Sequence, residues 1–511
     1  MSPVLTRPEH PRSTPLSELA SRIGARVVGD PESAVVTGLS LSSQRVVPGD
    51  LYAALPGSRV HGATYGPDAV GGGAVAVLTD EAGLPQVVGL GVPVLVHDDL
   101  RPLLGALAAL VYGDPAADLT LMAVTGTQGK TTTTRLLEAA LEQAGITAAV
   151  VGTVGTRIAG QDVETSLTTP EAPDLHALFA VMREQQVRGC AMEVSSHALV
   201  MGRVDGVLFD AAAFVNLGRD HLDFHADVED YFAAKASLFT PERARRGLTN
   251  IDDEFGRRLA AAATIPMRTF SPAGGDADWR AEDVVLRPEG SSFTVVAPDG
   301  ARIPARVPLT GAFNVANALC AIALAAEAGF DPVAVAVGLA ASGGVPGRLE
   351  RIDAGQDFLA VVDYAHKPDA LVAALAALRP LTAGRLILVL GAGGDRDTGK
   401  RPLMGEIGAR DADVLVVTDD NPRSEDPATI RAAVLAGTDL VAAADRAIVI
   451  EVGDRRDAIG RAVALAAPGD TVLVAGKGHE TGQEIGTGQD RVLHPFDDRV
   501  EVRAALEGQR P

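Results

Sequence analysis

The clearest chemistry in the chain lies between Ala123 and Thr134, AVTGTQGKTTTT. An apolar run ends at Val124, a loop with Gly126, Thr127, Gln128 and Gly129 follows, and Lys130-Thr131-Thr132 opens a helical stretch. A strand–loop–helix junction of this kind cradles phosphate. Backbone N–H groups and a helix N-terminus face the anion, the lysine adds a point charge, and the first threonine hydroxyl can hold Mg²⁺. The pattern points to an enzyme that handles nucleoside triphosphate. The common phosphate loop has a glycine five positions before the one that precedes the lysine, and Val124 stands there. The loop is a shortened variant, and ordinary P-loop families fit it badly.

Other reactive residue types follow at intervals. Glu193, in Ala191-Met192-Glu193-Val194-Ser195-Ser196-His197, is expected at a strand end, a common position for a Mg²⁺ ligand in phosphoryl transfer. The stretch Asn216 to Asp223, NLGRDHLD, is crowded with possible ligands, His221 among them. Lys235 falls in a helical segment with apolar neighbours, DYFAAKASLF. A helix lysine is ordinarily solvated, but a partly desolvated one can lose its proton and react, in principle with CO₂. The resulting carbamate would be an oxygen ligand for a second metal. Any one of these residues alone reads as a cap or surface group; together with a phosphate loop they read as a site.

Three apolar strands further on each end in a polar cluster. They are Leu386–Leu390 before GAGG, Val414–Thr418 before Asp419-Asp420-Asn421-Pro422-Arg423, and Val472–Ala475 before Gly476-Lys477-Gly478-His479-Glu480. Continuous apolar strands suit a parallel sheet covered on both faces, and such sheets bind ligands beyond the carboxyl ends of their strands. By itself Arg423 fits a turn arginine facing water as well as it fits a ligand contact.

These residues need a scaffold of several domains, because 511 residues exceed one core. The first hundred residues hold short β signals at Gly49–Leu55, Ala74–Leu78 and Pro93–Val96, and a helix is expected over Leu103–Tyr112. Alternating β and α signals then run to a Pro-Gly linker at Val345–Arg348. The expected division is 1–100, 101–346 and 347–511, all α/β. Hydrophobic content of 47% with only 4% aromatics implies cores of Ala, Val and Leu. A formal charge of −21 argues against nonspecific binding to nucleic acid or anionic membranes, so local cations and metal ions must attract any anionic substrate. No signal peptide and no membrane span are expected. Cys190 and Cys320 sit in apolar contexts and are expected to be buried thiols in a cytoplasmic protein.

Taken in order, these segments resemble the Mur ligases, ATP-dependent amide-bond ligases of peptidoglycan precursor synthesis. The resemblance rests on TGTQGKTT, Glu193-Val194-Ser195-Ser196-His197, Asn216 to Asp223, Lys235, Asn314 and Asn317 in GAFNVANA, and Asp363-Tyr364-Ala365-His366 followed by Pro368-Asp369. It covers nearly the whole chain. It implies an N-terminal α/β UDP-binding domain, a central ATPase domain with a parallel sheet and a C-terminal Rossmann-like domain. Thr168-Thr169-Pro170, Arg203, Asp395-Arg396-Asp397 and above all Asp420-Asn421-Pro422-Arg423 are similar to the branch that adds the third residue of the stem peptide. In that branch the arginine-bearing motif goes with diaminopimelate, and lysine-adding members lack the arginine. The physical reason is that diaminopimelate has a second carboxylate, which a guanidinium can grip with two parallel hydrogen bonds.

The resemblance also implies roles. Gly126 to Thr132 would hold the ATP phosphates, with Asn317, Arg348, Asp363 and His366 on base and ribose across a domain junction. Thr131 and Glu193 would serve one Mg²⁺; His221 and Lys235, as N6-carboxylysine, would serve another. Ser43, Thr168, Thr169, Ser195 and Arg203 would bind the UDP-linked muramyl dipeptide. Arg396, Asp420, Asn421, Pro422, Arg423, Gly476 and Glu480 would line the diaminopimelate pocket, with Glu480 on the distal ammonium. The chain departs from frequent family forms at Ser42-Ser43-Gln44, where Asp-Ser-Arg is common, at Gln128, where Asn is common, and at Met201. Lys130, His221, Lys235 and Glu193 would be the catalytic set of a monomeric enzyme that activates a carboxylate as an acyl phosphate, with closure at Val345–Arg348 keeping water out. The rival readings are a lysine-adding ligase, a folylpolyglutamate synthetase and a nucleotide-regulated binding protein.

Overall fold

The structure, a computed structural model, describes residues 6–218, 220–221, 224–486 and 491–508. Arg219, Leu222 and Asp223 of the NLGRDHLD stretch lie outside the described residues. The chain divides into two compact units: 1–280 with 295–303 and 319–341, and 281–294 with 304–318 and 342–511.

The first unit opens on a five-stranded sheet of β1 (Arg26–Val28), β2 (Gly38–Ser40), β3 (Asp50–Ala53), β4 (Ala76–Thr79) and β5 (Val94–Val96). The order is β1-β5-β4-β3-β2, parallel except for β1 against β5. Helices α1 (Leu16–Ile23) and α2 (Leu100–Tyr112) bury Leu16, Leu19, Leu104, Leu107 and Val111 with Leu39, Leu51, Leu78 and Leu95 of the sheet. The expected boundary near residue 100 therefore falls at the start of a helix that shares this core.

The second sheet of the unit carries the phosphate-loop motif. Eight of its eleven strands are β6 (Thr120–Thr125), β7 (Ala148–Val151), β8 (Thr156–Ile158), β9 (Gln161–Val163), β10 (Gly189–Glu193), β11 (Ala211–Phe214), β12 (Gly247–Asn250) and β13 (Met267–Ser271). They lie in the order β9-β8-β7-β10-β6-β11-β12-β13. The six from β7 to β13 that exclude the β8–β9 hairpin are parallel, while β8 and β9 add antiparallel edge strands. The parallel expectation thus holds for the centre of the sheet, and a tight hairpin extends one edge. Strands β6, β10 and β11 are apolar and buried nearly throughout, because helices cover both faces. Helices α3 (Lys130–Gln143), α4 (Ala172–Glu184), α5 (Ser196–Val200) and α6 (Val228–Ala236) follow these strands, and α7 (Pro332–Ala340) packs on α3. That last approach is close: a Cβ on Gly338 would meet the Ala140 carbonyl oxygen at 2.1 Å.

The second unit holds a sheet with five parallel strands, β14 (Leu359–Asp363), β15 (Leu386–Ala392), β16 (Val414–Asp419), β17 (Ile448–Glu451) and β18 (Thr471–Ala475), in the order β14-β18-β15-β16-β17, and a short antiparallel strand, Glu350–Arg351, beside β14. Strand alternation splits the core in two. Leu386, Leu388 and Leu390 pack with Leu371, Met404 and Val434 on one face, and Ile387 and Val389 pack with Ile459, Val463 and Val502 on the other. A hairpin, β19 (Gly482–Ile485) with β20 (Val492–Pro495), follows the last strand. Fully buried Arg455 ties two strand ends together. It ion-pairs with Asp498 at 2.7 Å and donates to the Asp419 and Ala475 carbonyls at 3.3 and 3.0 Å. Both cysteines are buried, and burial pushes the Cys190 thiol up to about 12.

Candidate active site

The phosphate loop has the expected strand–loop–helix form. Gly129 caps α3 at φ 88°, a backbone region that favours glycine. The side chain of Asn216, beyond β11, brackets the loop: its Oδ1 accepts from the Gln128 N–H at 2.9 Å and its Nδ2 donates to the Gln128 carbonyl at 3.2 Å. Thr127 is pinned as well, through the Gly218 N–H (2.9 Å) and the Tyr231 hydroxyl (3.2 Å).

Two lysines converge on this loop. Lys130 Nζ donates to the carbonyl oxygens of Gly126 (2.9 Å) and Thr127 (3.1 Å). Lys235, on α6, is buried, lies over the Tyr231 ring at 4.5 Å and donates to the same Gly126 oxygen at 2.9 Å. The two ammonium nitrogens are therefore at most about 6 Å apart. Like charges this close favour an incoming anion, or the conversion of one amine to a neutral or anionic form.

Glu193 ends β10 and is buried. Both of its oxygens accept from Thr153, Oε1 from the backbone N–H (2.8 Å) and Oε2 from the hydroxyl (3.1 Å). A Cβ on Gly152 would stand 2.3 Å from Oε1, so a side chain there would displace the Glu193 carboxylate. Arg135 of α3 fixes the same turn through the Val154 and Gly155 carbonyls at 2.7 and 3.0 Å. The structure brings several other expected residues to this strand end. The Thr168 and Thr153 hydroxyls are 3.0 Å apart. Thr169, fully buried, donates to the Glu193 carbonyl (2.9 Å) and accepts from the Ser195 N–H (3.3 Å). Ser195 caps α5, and Arg203 reaches Glu171 at 2.8 Å and the Thr169 carbonyl at 3.4 Å. Ser43 stands apart, half-buried in the turn Ser43–Arg45, whose Arg45 pairs with Asp174 of α4 at 3.0 Å.

His221 adopts φ 55° and is 37% exposed, 3.3 Å from the Asp220 carboxylate. Its ring meets His197 edge-on at 4.9 Å. Buried His225 holds this segment: its N–H donates to the His221 carbonyl (2.9 Å), and its ring is fixed between Ser196 (2.9 Å) and Asp230 (3.0 Å). Sequence reasoning missed Thr153, Tyr231 and His225 as parts of the site. The glycines flanking Thr153 after a strand, and the repeat of histidine four residues after His221, were the available signals.

Among the described residues, no group of three or more His, Cys, Asp or Glu is preassembled around a metal position. The donors fit magnesium all the same. Mg²⁺ takes one or two protein oxygens and fills its octahedron with phosphate and water, and Glu193 is a buried carboxylate that makes no ion pair among the described residues.

The nucleotide-side residues assigned from resemblance lie in the second unit. Asn317 donates to Asn314 (3.2 Å), which donates to the Thr310 carbonyl (2.8 Å). Asp363, at the end of β14, accepts from the Leu349 and Ala365 N–H groups at 2.7 and 2.8 Å; burial pushes its carboxyl up and Arg348 opposes the shift. The Arg348 guanidinium lies over Tyr364 at 4.6 Å, with the His366 and His479 rings at 4.5 and 4.9 Å from Tyr364. Burial pushes His366 down to about 4, so the ring is neutral near pH 7. Its Nδ1 stands 2.8 Å from the Tyr364 carbonyl, which assigns the proton to Nδ1 and leaves Nε2 an acceptor. The Val345–Arg348 stretch is tightly packed at Gly347, where a Cβ would meet the His479 nitrogen at 2.2 Å.

The strand ends of the same sheet gather the remaining residues. Asp420 and Asn421 are buried, and a Cβ on Gly476 would come within 2.5 Å of the Asp420 carboxylate. Fully buried Lys477, which sequence reasoning left without a role, donates to Asn421 Oδ1 (2.9 Å) and Glu480 Oε2 (3.0 Å), and Asn421 Nδ2 reaches the same Glu480 oxygen at 2.8 Å. Arg423 follows Pro422 at φ 53° and is not a solvent-facing turn residue. Its Nε donates to Glu484 (3.2 Å) and its Nη1 to the Gly394 carbonyl (2.7 Å). Arg396 is exposed on the loop after β15.

Comparison with known proteins agrees along the whole chain. Residues 124–325 match the Mur ligase middle domain, 347–478 the Mur ligase glutamate ligase domain, and 35–112 the Mur ligase family catalytic domain. A UDP-N-acetylmuramoyl-L-alanyl-D-glutamate–2,6-diaminopimelate ligase of Streptomyces avermitilis is 55% identical over 98% of each chain. One of the same name from Corynebacterium efficiens is 50% identical over 99% of this chain and 97% of its own. A solved structure of a ligase of that name superposes with a TM-score of 0.69 at 32% identity, covering 98% of this chain and 99% of the other.

Proposed function

The chain belongs to the Mur ligase family, and on that premise we propose that it joins diaminopimelate to UDP-N-acetylmuramoyl-L-alanyl-D-glutamate at the expense of ATP, within peptidoglycan precursor synthesis. The observation that carries the phosphoryl half of this reading is the convergence of Lys130 and Lys235 on one carbonyl of the phosphate loop. The Gly126 oxygen accepts from both ammonium groups, and phosphate oxygens of bound nucleotide would take Lys130.

The reaction has two displacements. A carboxylate oxygen of the D-glutamyl side chain attacks the γ-phosphorus, the bond to the β-phosphate oxygen breaks, and ADP leaves. The diaminopimelate amine then attacks the acyl carbon, the C–O bond to phosphate breaks, and the amine sheds its proton as the amide forms. Charge accumulates on the transferred phosphoryl group, so positioned cations and N–H groups are the main contribution of the protein. Lys130 and the N–H groups from Gly126 to Thr132 do this work. Thr131, Glu193, His221 and a carbamylated Lys235 are the residues that would hold magnesium, which supplies further neutralisation of the phosphates when bound. Thr153 keeps Glu193 in place, and His225 keeps the His221 segment in place.

The muramyl dipeptide is assigned to Ser43, Thr168, Thr169, Ser195 and Arg203. Arg348 on Tyr364 and the acceptor Nε2 of His366 suit a base and a ribose hydroxyl. The diamino acid is assigned to Arg396, Asp420 to Arg423, Gly476 and Glu480, with Arg423 on its second carboxylate. No helix among the described residues is long and apolar enough to cross a membrane; we take the enzyme to be a cytoplasmic monomer acting on small molecules.

The decisive measurement is phosphate release with ATP and the UDP-muramyl dipeptide, with and without diaminopimelate, together with the mass of the UDP product. Release that depends on the amine, with a product heavier by one diaminopimelate residue, is expected. Equal incorporation of L-lysine in competition would overturn the assigned amine.

A further inference from the structure

Arg423 is held by more than its own turn. Its N–H donates to the Glu484 carbonyl at 3.1 Å, and the Gly486 N–H donates to the Arg423 carbonyl at 2.7 Å, so the motif is stitched to β19 like an added strand. At φ 53° the residue occupies a backbone region that side-chain-bearing residues seldom adopt, and these bonds oppose its relaxation. The side chain is fixed at two points, Nε on Glu484 and Nη1 on the Gly394 carbonyl. Among the described residues Nη2 carries no hydrogen bond.

Glu484 is itself immobilised. Its other oxygen pairs with Arg491 at 2.9 Å, and its backbone N–H donates to Asn421 Oδ1 at 2.9 Å. One residue thus touches both Asn421 and Arg423, and Asn421 is bonded to Glu480. Only 19% of the Glu484 side chain and 19% of that of Arg423 are exposed, so water competes weakly for the contact.

We propose that Glu484 is a positioning residue that determines amine specificity: it orients the Arg423 guanidinium so that Nη2 is presented to the second carboxylate of the amine substrate. The proposal rests on the reading that Arg423 binds that carboxylate. An arginine free to rotate would bind the same group only after losing rotamer freedom, and would discriminate less sharply between a substrate with the carboxylate and one without it. The contact requires an acceptor at the end of the side chain. Glutamine supplies one and alanine does not.

The test uses the full chain with ATP, the UDP-muramyl dipeptide and varied diaminopimelate. Glu484→Ala is expected to raise the KM for diaminopimelate about tenfold with kcat within about twofold and the KM for ATP unmoved, a split that marks lost ground-state and transition-state binding alike. Glu484→Gln keeps one acceptor but loses the charge and turns an amide NH2 toward Arg423 or Arg491, so its KM for diaminopimelate is expected to fall between those of the wild type and the alanine variant. In competition the alanine variant should incorporate a larger share of L-lysine. If Glu484→Ala does not fold, as judged by its melting transition, Glu484→Asp serves, because a carboxylate withdrawn by one methylene should raise the same KM. An unchanged or lowered KM, or a loss of kcat shared equally by all three substrates, would overturn the proposal alone. A wild-type protein unresponsive to diaminopimelate would overturn the ligase reading and this inference together.

Discussion

The phosphate loop and the pocket proposed for the diamino acid hold their charged groups differently. At the loop, Lys130 and Lys235 both donate to the Gly126 carbonyl, a contact that a phosphate oxygen outcompetes. In the pocket, the charged groups rest on full opposite charges: Lys477 on Glu480 and Arg423 on Glu484. On the proposed reading, the loop lysines exchange the Gly126 carbonyl for phosphate during turnover. The pocket is built to hold its groups still, which is what discrimination between similar amines requires.

The comparison can be broken by substitution. The largest effect is expected at the loop. Lys235→Ala should cost on the order of a thousandfold in kcat, and short added carboxylates should restore part of it if a carbamate is the working form. Full activity, or no response to any added carboxylate, would remove Lys235 from the mechanism as drawn. Arg423→Ala should follow, with roughly a thirtyfold rise in the KM for diaminopimelate and little change in kcat, the equivalent of about 2 kcal/mol for charged hydrogen bonds. A matching loss of kcat would instead make the motif part of the exchanging machinery.

Smaller again is Thr153→Val, which removes one of the two hydrogen bonds on Glu193 while keeping volume. About tenfold more Mg²⁺ should be needed for half-maximal rate, within the range seen when partners of metal ligands are lost. An unchanged magnesium titration would confine Thr153 to a structural role.

The mildest test concerns stability. Glu138, on the phosphate-loop helix, is pushed up to about 7 by burial, against which Arg157 and Arg135 act. The folded protein holds that proton more tightly than the unfolded chain, so the contribution of Glu138 to stability is greatest at low pH. It falls as pH rises from the unfolded value near 4.5 to about 7, then levels off. Glu138→Gln should flatten this decline and raise the melting temperature at pH 8 relative to the wild type, by of order 1–3 kcal/mol in stability. A melting temperature for wild type that rises between pH 5 and 7, with the variant tracking it, would exclude this account.

Sequence was a good guide where chemistry is contiguous. Gly126 to Thr132, Glu193 at a strand end, and Asp420 to Arg423 were all legible, because phosphate cradles and strand-end ligand sites use short runs whose geometry follows from local backbone. The three-layer order of the second unit was legible for the same reason, since Leu386–Leu390 and Val472–Ala475 are apolar on both faces. Thr153, His225 and Glu484 were not. Each is an ordinary residue type in its own segment, and becomes part of a site only through a partner 40, 29 or 61 positions away.

The amino-acid sequence by itself determined the elements, the family and the identity of the charged groups, because hydrophobic periodicity and motif spacing are local properties. Tertiary structure alone decided what those charges rest on. That two lysines share the Gly126 carbonyl, and that Glu484 rather than water faces Arg423, depends on strand order and helix docking, which set distances between residues that spacing along the chain does not encode.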